Sequence, residues 1–177
     1  MRRGAILPCL LALAAATLAS YSRAAECVDF RWDVSQERAL FAGSPTQLTG
    51  GGDAKSAPTI QLNRLYEIKL RTQDQVTFAV TPAKKNPPAD SRAGIVTFKL
   101  PAGGSYRISI DMPFWVDVVQ DGAAVAASDF QGQQGCGAPH KIVVFDLKGT
   151  RPFLLQLSNA APDSVRLTVT ATPARKL

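Results

Sequence analysis

Short segments in which apolar and polar residues alternate recur along this chain from residue 65 onward, and glycine, proline, asparagine or aspartate separates them. Successive side chains of a strand point to opposite faces, so the alternation predicts strands with one buried face. Many such strands, about ten residues apart with turn residues between them, are typical of an antiparallel sandwich or barrel. The sequence therefore predicts an all-β fold, an antiparallel β-sandwich or barrel. The predicted strands cover residues 65–70, 75–80, 93–101, 105–111, 140–147, 151–158 and 164–171, with a hairpin over 114–130.

Two local signals refine this fold. Asp121-Gly122, inside the predicted hairpin, is a pair that tight hairpin turns prefer. Residues 32–43 break the strand pattern, because Ser35 can cap a helix and Gly43 can end it. We expect one short helix there, near the mature N-terminus, with Leu40 and Phe41 on the sandwich and Glu37 and Arg38 in solvent. A strand is the alternative.

The N-terminus predicts export. Arg2 and Arg3 precede an apolar run over residues 5–16, which is short for a membrane span, and Ser22 and Ala24 supply the small residues that cleavage needs. We expect a signal peptide over residues 1–24, cleaved near Ala24, and one sandwich domain over 25–177. The predicted location is the bacterial periplasm or the medium, without membrane insertion after cleavage. A retained membrane helix is the alternative.

The net charge of +6 depends partly on this signal. Without Arg2, Arg3 and Arg23, 17 basic residues face 14 acidic ones, a net charge of +3. That excess is too small to indicate a nucleic-acid partner, and export argues against one independently.

The cysteines predict one disulfide. Cys9 leaves with the signal peptide, so Cys27 and Cys136 remain as a pair in an oxidising compartment. A metal site using Cys136 and His140 is the alternative, but a structural zinc ion needs four ligands and the chain has one histidine. We predict no metal and no cofactor.

Candidate binding residues come from a loop and from an aromatic pair. The proline-rich loop over residues 81–94 carries Lys84, Lys85 and Arg92, and long loops on a rigid sandwich often bind ligands. Phe114 and Trp115 are consecutive, so one should face the core and the other should point outward. An outward Trp115 could stack on a sugar or a partner surface. Alternatively, both are buried in one core with Trp32 and Tyr106, and the loop is a solvated connection.

Over residues 103–169, a glycine turn precedes "SYRISI", and "WVDVVQDG" follows as a hairpin. This order of features resembles the bacterial pre-peptidase C-terminal domains and related jelly-roll accessory modules. The resemblance implies their architecture, an antiparallel, jelly-roll-like β-sandwich. Modules of this family often hold calcium through loop aspartates, but Asp111, Asp117, Asp121 and Asp129 lack a calcium-loop spacing here. A stand-alone periplasmic family is the alternative.

Catalytic motifs are missing from the sequence: there is no nucleophile elbow and no phosphate-binding loop. We therefore predict a non-catalytic exported binding or accessory module for an envelope polysaccharide or an exported protein. One alternative is a small periplasmic enzyme or metal-handling protein built on His140 with Asp129 and Asp146. Another is an exported hydrolase inhibitor that uses the basic loop.

Overall fold

A computed structural model describes residues 29–133 and 136–173. The predicted signal peptide and Cys27 lie outside these residues. The described part contains one α-helix, one 3-10 helix (Gln73–Gln75) and twelve strands. These elements are α1 (Ser35–Phe41), β1 (Thr46–Thr49), β2 (Thr59–Ile60), β3 (Tyr66–Lys69), β4 (Arg71–Thr72), β5 (Arg92–Phe98), β6 (Gly104–Ile110), β7 (Trp115–Gln120), β8 (Ala123–Val125), β9 (Ala127–Gly132), β10 (Lys141–Leu147), β11 (Phe153–Ala160) and β12 (Ser164–Ala171).

The strands form two sheets that pack face to face. Sheet A has the order β1-β3-β12-β6-β10-β9, and sheet B has the order β2-β5-β11-β7-β8, with β4 also paired to β5. The central pairs are antiparallel, whereas β1 with β3 and β2 with β5 are parallel pairs at the edges. This architecture confirms the predicted all-β sandwich. No helix of residues 29–133 and 136–173 is long and apolar enough to cross a bilayer.

The core lies between the sheets and follows the strand alternation. On sheet A, Ile108 is opposite Val143 and Val169, and all three are buried. On sheet B, Phe98 is opposite Phe153, and their rings stack with centroids 5.3 Å apart. Burial of such large side chains is the main favourable term in folding.

The predicted hairpin is confirmed. Strands β7 and β8 pair antiparallel through a two-residue turn at Asp121 and Gly122, whose φ angles are 53° and 77°. Positive φ at both positions is the backbone of a type I′ turn, which matches the twist of the strands. The guanidinium of Arg151 donates to the Asp121 carboxylate at 2.5 Å from the turn that precedes β11.

The strand predicted over residues 75–80 is wrong. The chain instead forms the 3-10 helix Gln73–Gln75 and then an irregular segment on the outer face of sheet B. Val76 is buried and Phe78 is half-buried against Ala93, Ile95 and Leu154. The alternation of apolar and polar residues therefore reflects burial against the face of sheet B and not pairing with a neighbouring strand.

The helix α1 confirms the helix prediction, with two differences. The N-cap residue is Val34 rather than the predicted Ser35, and the N–H of Ser35 donates to the carboxylate of Asp33 at 2.9 Å. Phe41 is buried and Arg38 is exposed, as expected, but Glu37 is only 1% exposed. The prediction that Glu37 faces solvent is wrong.

Glu37 is buried because the outer face of sheet A supplies its partners. Arg107 of β6 donates from Nη1 to Glu37 Oε1 at 3.4 Å, and Thr170 of β12 donates its hydroxyl to the same oxygen at 2.7 Å. Arg107 Nη1 also donates to the backbone oxygen of Asp33 at 2.7 Å. A carboxylate is tolerated in the interior when it is paired and hydrogen-bonded in this way.

Candidate binding clefts

The long loop between the 3-10 helix and β5 is held on sheet B by a buried amide. Gln156, in the middle of β11, is fully buried. Its Oε1 accepts from the backbone N–H of Ala79 at 2.7 Å, and its Nε2 donates to the oxygen of Val80 at 3.0 Å. One amide side chain thus supplies the loop backbone with the donor and the acceptor that a neighbouring strand would otherwise provide.

A second buried amide holds the next part of the loop. Asn159 Nδ2 donates to the backbone oxygen of Lys84 at 2.7 Å, while the backbone N–H of Asn159 donates to Gln73 Oε1 at 2.8 Å. Asn159 has a φ of 61°, a left-handed conformation in which asparagine is well tolerated. The backbone of Lys84 is therefore fixed, whereas the side chains of Lys84 and Lys85 are exposed.

The loop encloses an open cleft of about 860 Å³, which we call the loop cleft. Its lining combines the half-buried ring of Phe78, the hydroxyls of Thr72 and Thr81, and the two lysines Lys84 and Lys85. The structure thus places two of the predicted binding residues beside one concave surface. Such a surface offers an apolar face, hydrogen-bonding groups and positive charge.

Arg92 does not join the two lysines. It begins β5, opposite Thr72 of β4, and it shares strand parity with Val96 and Phe98, which face the core. Its side chain therefore points to the opposite face of sheet B from the loop. Sequence proximity suggested one basic patch, but the strand alternation separates Arg92 from it.

Phe114 and Trp115 face opposite sides, as predicted. Phe114 is fully buried in the main core with Tyr106, and Trp115 is half-buried. Trp32 packs in a separate cluster with Phe30 and Ile142, so the alternative of one common aromatic core is wrong.

Trp115 is linked to the loop through a buried carboxylate. Its Nε1 donates to Asp117 at 2.9 Å, and Asp117 also accepts a hydrogen bond from the backbone N–H of Ala83. Burial of the carboxyl raises the pKa of Asp117 above its usual value, although both hydrogen bonds act in the opposite direction. Trp115 therefore lies at the end of the loop and not inside the loop cleft.

A second, smaller cleft opens where β7 of sheet B faces β9 and β10 of sheet A. We call it the edge cleft; its volume is about 150 Å³. Sequence reasoning missed two of its residues, Phe130 and Lys141. The signal for Lys141 was its position in the inward-facing series of β10, which continues through Val143, Phe145 and Leu147. The lining residues are Trp115, Val116, Ala127, Phe130, Lys141 and Val143.

Lys141 is a cation in a largely apolar place. Its Nζ donates to the backbone oxygen of Phe114. Burial and, to a smaller extent, the positive charge of Lys84 together lower the pKa of Lys141 to about 8. The edge cleft thus contains an amine that loses its proton more readily than an exposed lysine does.

The residues of the His140 alternative lie along the sheet rather than around one point. Asp129 is opposite Val144, and Asp146 is opposite Ser105. His140 precedes Val144 by four residues, which is about 13 Å along a strand. Asp129 instead pairs with Arg31, whose hydrogen bond lowers the pKa of the aspartate. Across residues 29–133 and 136–173, no three histidine, cysteine or acidic side chains are grouped to hold a metal ion.

The predicted Cys27–Cys136 disulfide stays a prediction, because Cys27 lies outside the described residues. The residues that follow it support the pairing. Gln131 accepts from the N–H of Arg31 at 3.0 Å, and it donates to the oxygen of Asp29 at 3.1 Å. The N-terminal segment therefore lies along β9, a few residues before Cys136. The intact mass before and after reduction measures the bond directly.

No known protein-family model matches this chain, and no curated protein matches it in sequence.

Proposed function

We propose that this chain is a non-catalytic exported binding module and that its loop cleft binds an acidic envelope polysaccharide. The observation that carries the proposal is the fixed loop backbone. Buried Gln156 and Asn159 hold Val80 and Lys84 in place, and the side chains of Lys84 and Lys85 are exposed beside the cleft. A loop held in one conformation loses little entropy when it binds a ligand.

The lining of the loop cleft suits a sugar acid. The ring of Phe78 offers an apolar face for a sugar ring, and Thr72 and Thr81 offer hydroxyls for its hydroxyl groups. Lys84 and Lys85 would pair with its carboxylates. A polymer repeats these groups, so weak contacts at one sugar are multiplied by neighbouring sugars.

The test compares two double variants that remove the same charge. Lys84→Ala/Lys85→Ala changes the loop cleft, and Lys99→Ala/Lys148→Ala removes two exposed lysines elsewhere. The probe is polygalacturonate, with neutral dextran as its uncharged counterpart. We expect the loop variant to lose about tenfold or more in affinity for polygalacturonate, while the control variant stays close to wild type. The affinity should also fall as salt is added.

Equal binding of polygalacturonate by the two variants would contradict the proposal, and so would equal binding of dextran and polygalacturonate by the wild type. The same variants test the hydrolase-inhibitor alternative. An inhibitor acting through this loop would lose inhibition of its target hydrolase in the loop variant and would bind neither polysaccharide.

A further inference from the structure

The edge cleft presents exposed apolar surface at the rim of the sandwich. Phe130, on the edge strand β9, is 68% exposed. It borders the cleft together with Ala127 and the buried residues Val116 and Val143. The volume of about 150 Å³ suits one large apolar side chain, because a cavity of about this size accommodates a benzene ring. The space therefore fits a single anchoring group.

The charge beside this apolar space is positive, and no ion pair balances it among the residues that the structure describes. An ammonium group has three donors, and the backbone oxygen of Phe114 uses one donor of Lys141. Lys84 approaches closely enough to repel Lys141. In the part of the chain that the structure describes, no acidic side chain forms an ion pair with either lysine. The complementary ligand is an anion attached to an apolar group.

We infer that the edge cleft binds the C-terminal residue of another exported protein, with a large apolar side chain in the cleft and its terminal carboxylate on Lys141. Side chains of successive residues in an extended chain point in opposite directions, so an acidic neighbour of the anchor would point away from the cleft. A terminal carboxylate is attached to the same Cα as the anchoring side chain. Both groups can therefore reach one small site.

This inference goes beyond the proposed polysaccharide site and does not depend on it. The loop cleft and the edge cleft share none of their lining residues. Lys85 lines the loop cleft alone, so Lys85→Ala affects the polysaccharide site and leaves the edge cleft intact. Lys84 is avoided as a test residue here, because it lines the loop cleft and also acts on Lys141.

The experiment titrates the isotope-labelled mature protein with the peptide N-acetyl-Gly-Ser-Gly-Phe and with its C-terminal amide, followed by NMR. We expect the acid to shift the resonances of Phe130 and Val143 and to bind about tenfold or more tightly than the amide. Lys141→Met should abolish that preference, whereas Lys148→Met should keep it. Phe130→Ala should weaken both peptides about fivefold or more, since the apolar contact serves both. Because Phe130 is exposed, the Phe130→Ala variant is expected to fold.

The pH dependence gives a further readout. The pKa of Lys141 is about 8, under the influence of burial and of Lys84, so its charge is lost as the pH rises from 7 to 9. Affinity for the acid should fall over this range, and affinity for the amide should stay constant. The acetyl group on the probe removes the peptide amine, which would otherwise titrate near the same pH.

Three results would overturn the inference. Equal affinity for the acid and the amide would exclude carboxylate recognition. Binding of N-acetylphenylalanine as tightly as the tetrapeptide would identify the occupant as a small hydrophobic acid rather than a chain terminus. A loss in Lys85→Ala as large as that in Lys141→Met would place the peptide in the loop cleft.

Discussion

The two outer faces of the sandwich are covered in different ways. On sheet A the cover is the helix α1, and the buried contact beneath it is the ion pair between Glu37 and Arg107. On sheet B the cover is an irregular loop, and the buried contacts beneath it come from the amides of Gln156 and Asn159. The helix makes i→i−4 hydrogen bonds within its own backbone, and sheet A adds side-chain donors only at its two ends, where Arg107 bonds the oxygen of Asp33 and Arg166 bonds the oxygen of Phe41. A loop cannot do so, and sheet B must supply donors and acceptors for its backbone.

The buried contacts beneath the two covers also differ in the role that we assign to them. The ion pair under α1 is almost fully buried, with 5% exposure at Arg107 and 1% at Glu37. The amides of sheet B are buried as well, but they hold a loop whose lysines are exposed. The contact on sheet A is therefore structural, whereas the contacts on sheet B support the loop that carries the proposed binding surface.

The largest expected loss of stability is on the outer face of sheet A, which the helix α1 covers. Glu37→Gln removes the charge that balances Arg107 and leaves the guanidinium buried without a counter-charge. We expect the free energy of unfolding to fall by about 3–5 kcal/mol, measured by urea denaturation. A double variant, Glu37→Met/Arg107→Met, should recover most of this loss because it removes both buried charges. A loss below about 1 kcal/mol in Glu37→Gln would show that the pair is not a close structural contact.

A smaller loss of stability is expected on the outer face of sheet B, which the loop covers. Gln156→Leu leaves the N–H of Ala79 and the oxygen of Val80 without their partner. Because the loop can move and bind water, we expect a loss of about 1–3 kcal/mol, together with faster hydrogen exchange at Ala79. The slow exchange of α1 should be unchanged. If α1 and the loop lost protection together, the two covers would not be independent.

Lys141→Met should stabilise the fold. The folded pKa of about 8 lies below the ordinary lysine pKa of 10.5, so the unfolded chain binds the proton more tightly. The cost of burying the charge is full below about pH 8 and disappears as the pH rises toward 10.5. Allowing for remaining solvent contact and for the lost hydrogen bond to Phe114, we expect a gain of about 1 kcal/mol at pH 7. The gain should shrink at pH 10; a constant difference would contradict this account.

The smallest effect is expected for Asp117→Asn. The raised pKa of Asp117 means that the folded state binds its proton more tightly than the unfolded state, so the wild type loses stability as the pH rises through the folded pKa. Asparagine keeps an oxygen for Trp115 Nε1 and carries no charge. The variant should be no less stable than the wild type at pH 7, and it should lose relative stability at pH 4. Thermal unfolding at the two pH values measures the difference.

The helix and most strands were predictable from the sequence because their signals are local. The alternation in residues 105–111 and 140–147 places Ile108 and Val143 in the core, and Asp121-Gly122 adopts the turn that its residue types favour. The basic loop was also recognisable from Lys84 and Lys85. These features depend on residues that are close together in the sequence.

Long-range contacts determined the remaining features. Glu37 is buried because it contacts Arg107 and Thr170, which lie 70 and 133 residues away in the sequence. Residues 75–80 alternate like a strand, yet Gln156 holds them as a loop cover. Lys141 and Phe130 form a cleft only because β9 and β10 of one sheet meet β7 of the other. By itself the sequence determined which faces are apolar, and the tertiary structure decided what covers each face, because partners for buried polar groups come from distant strands.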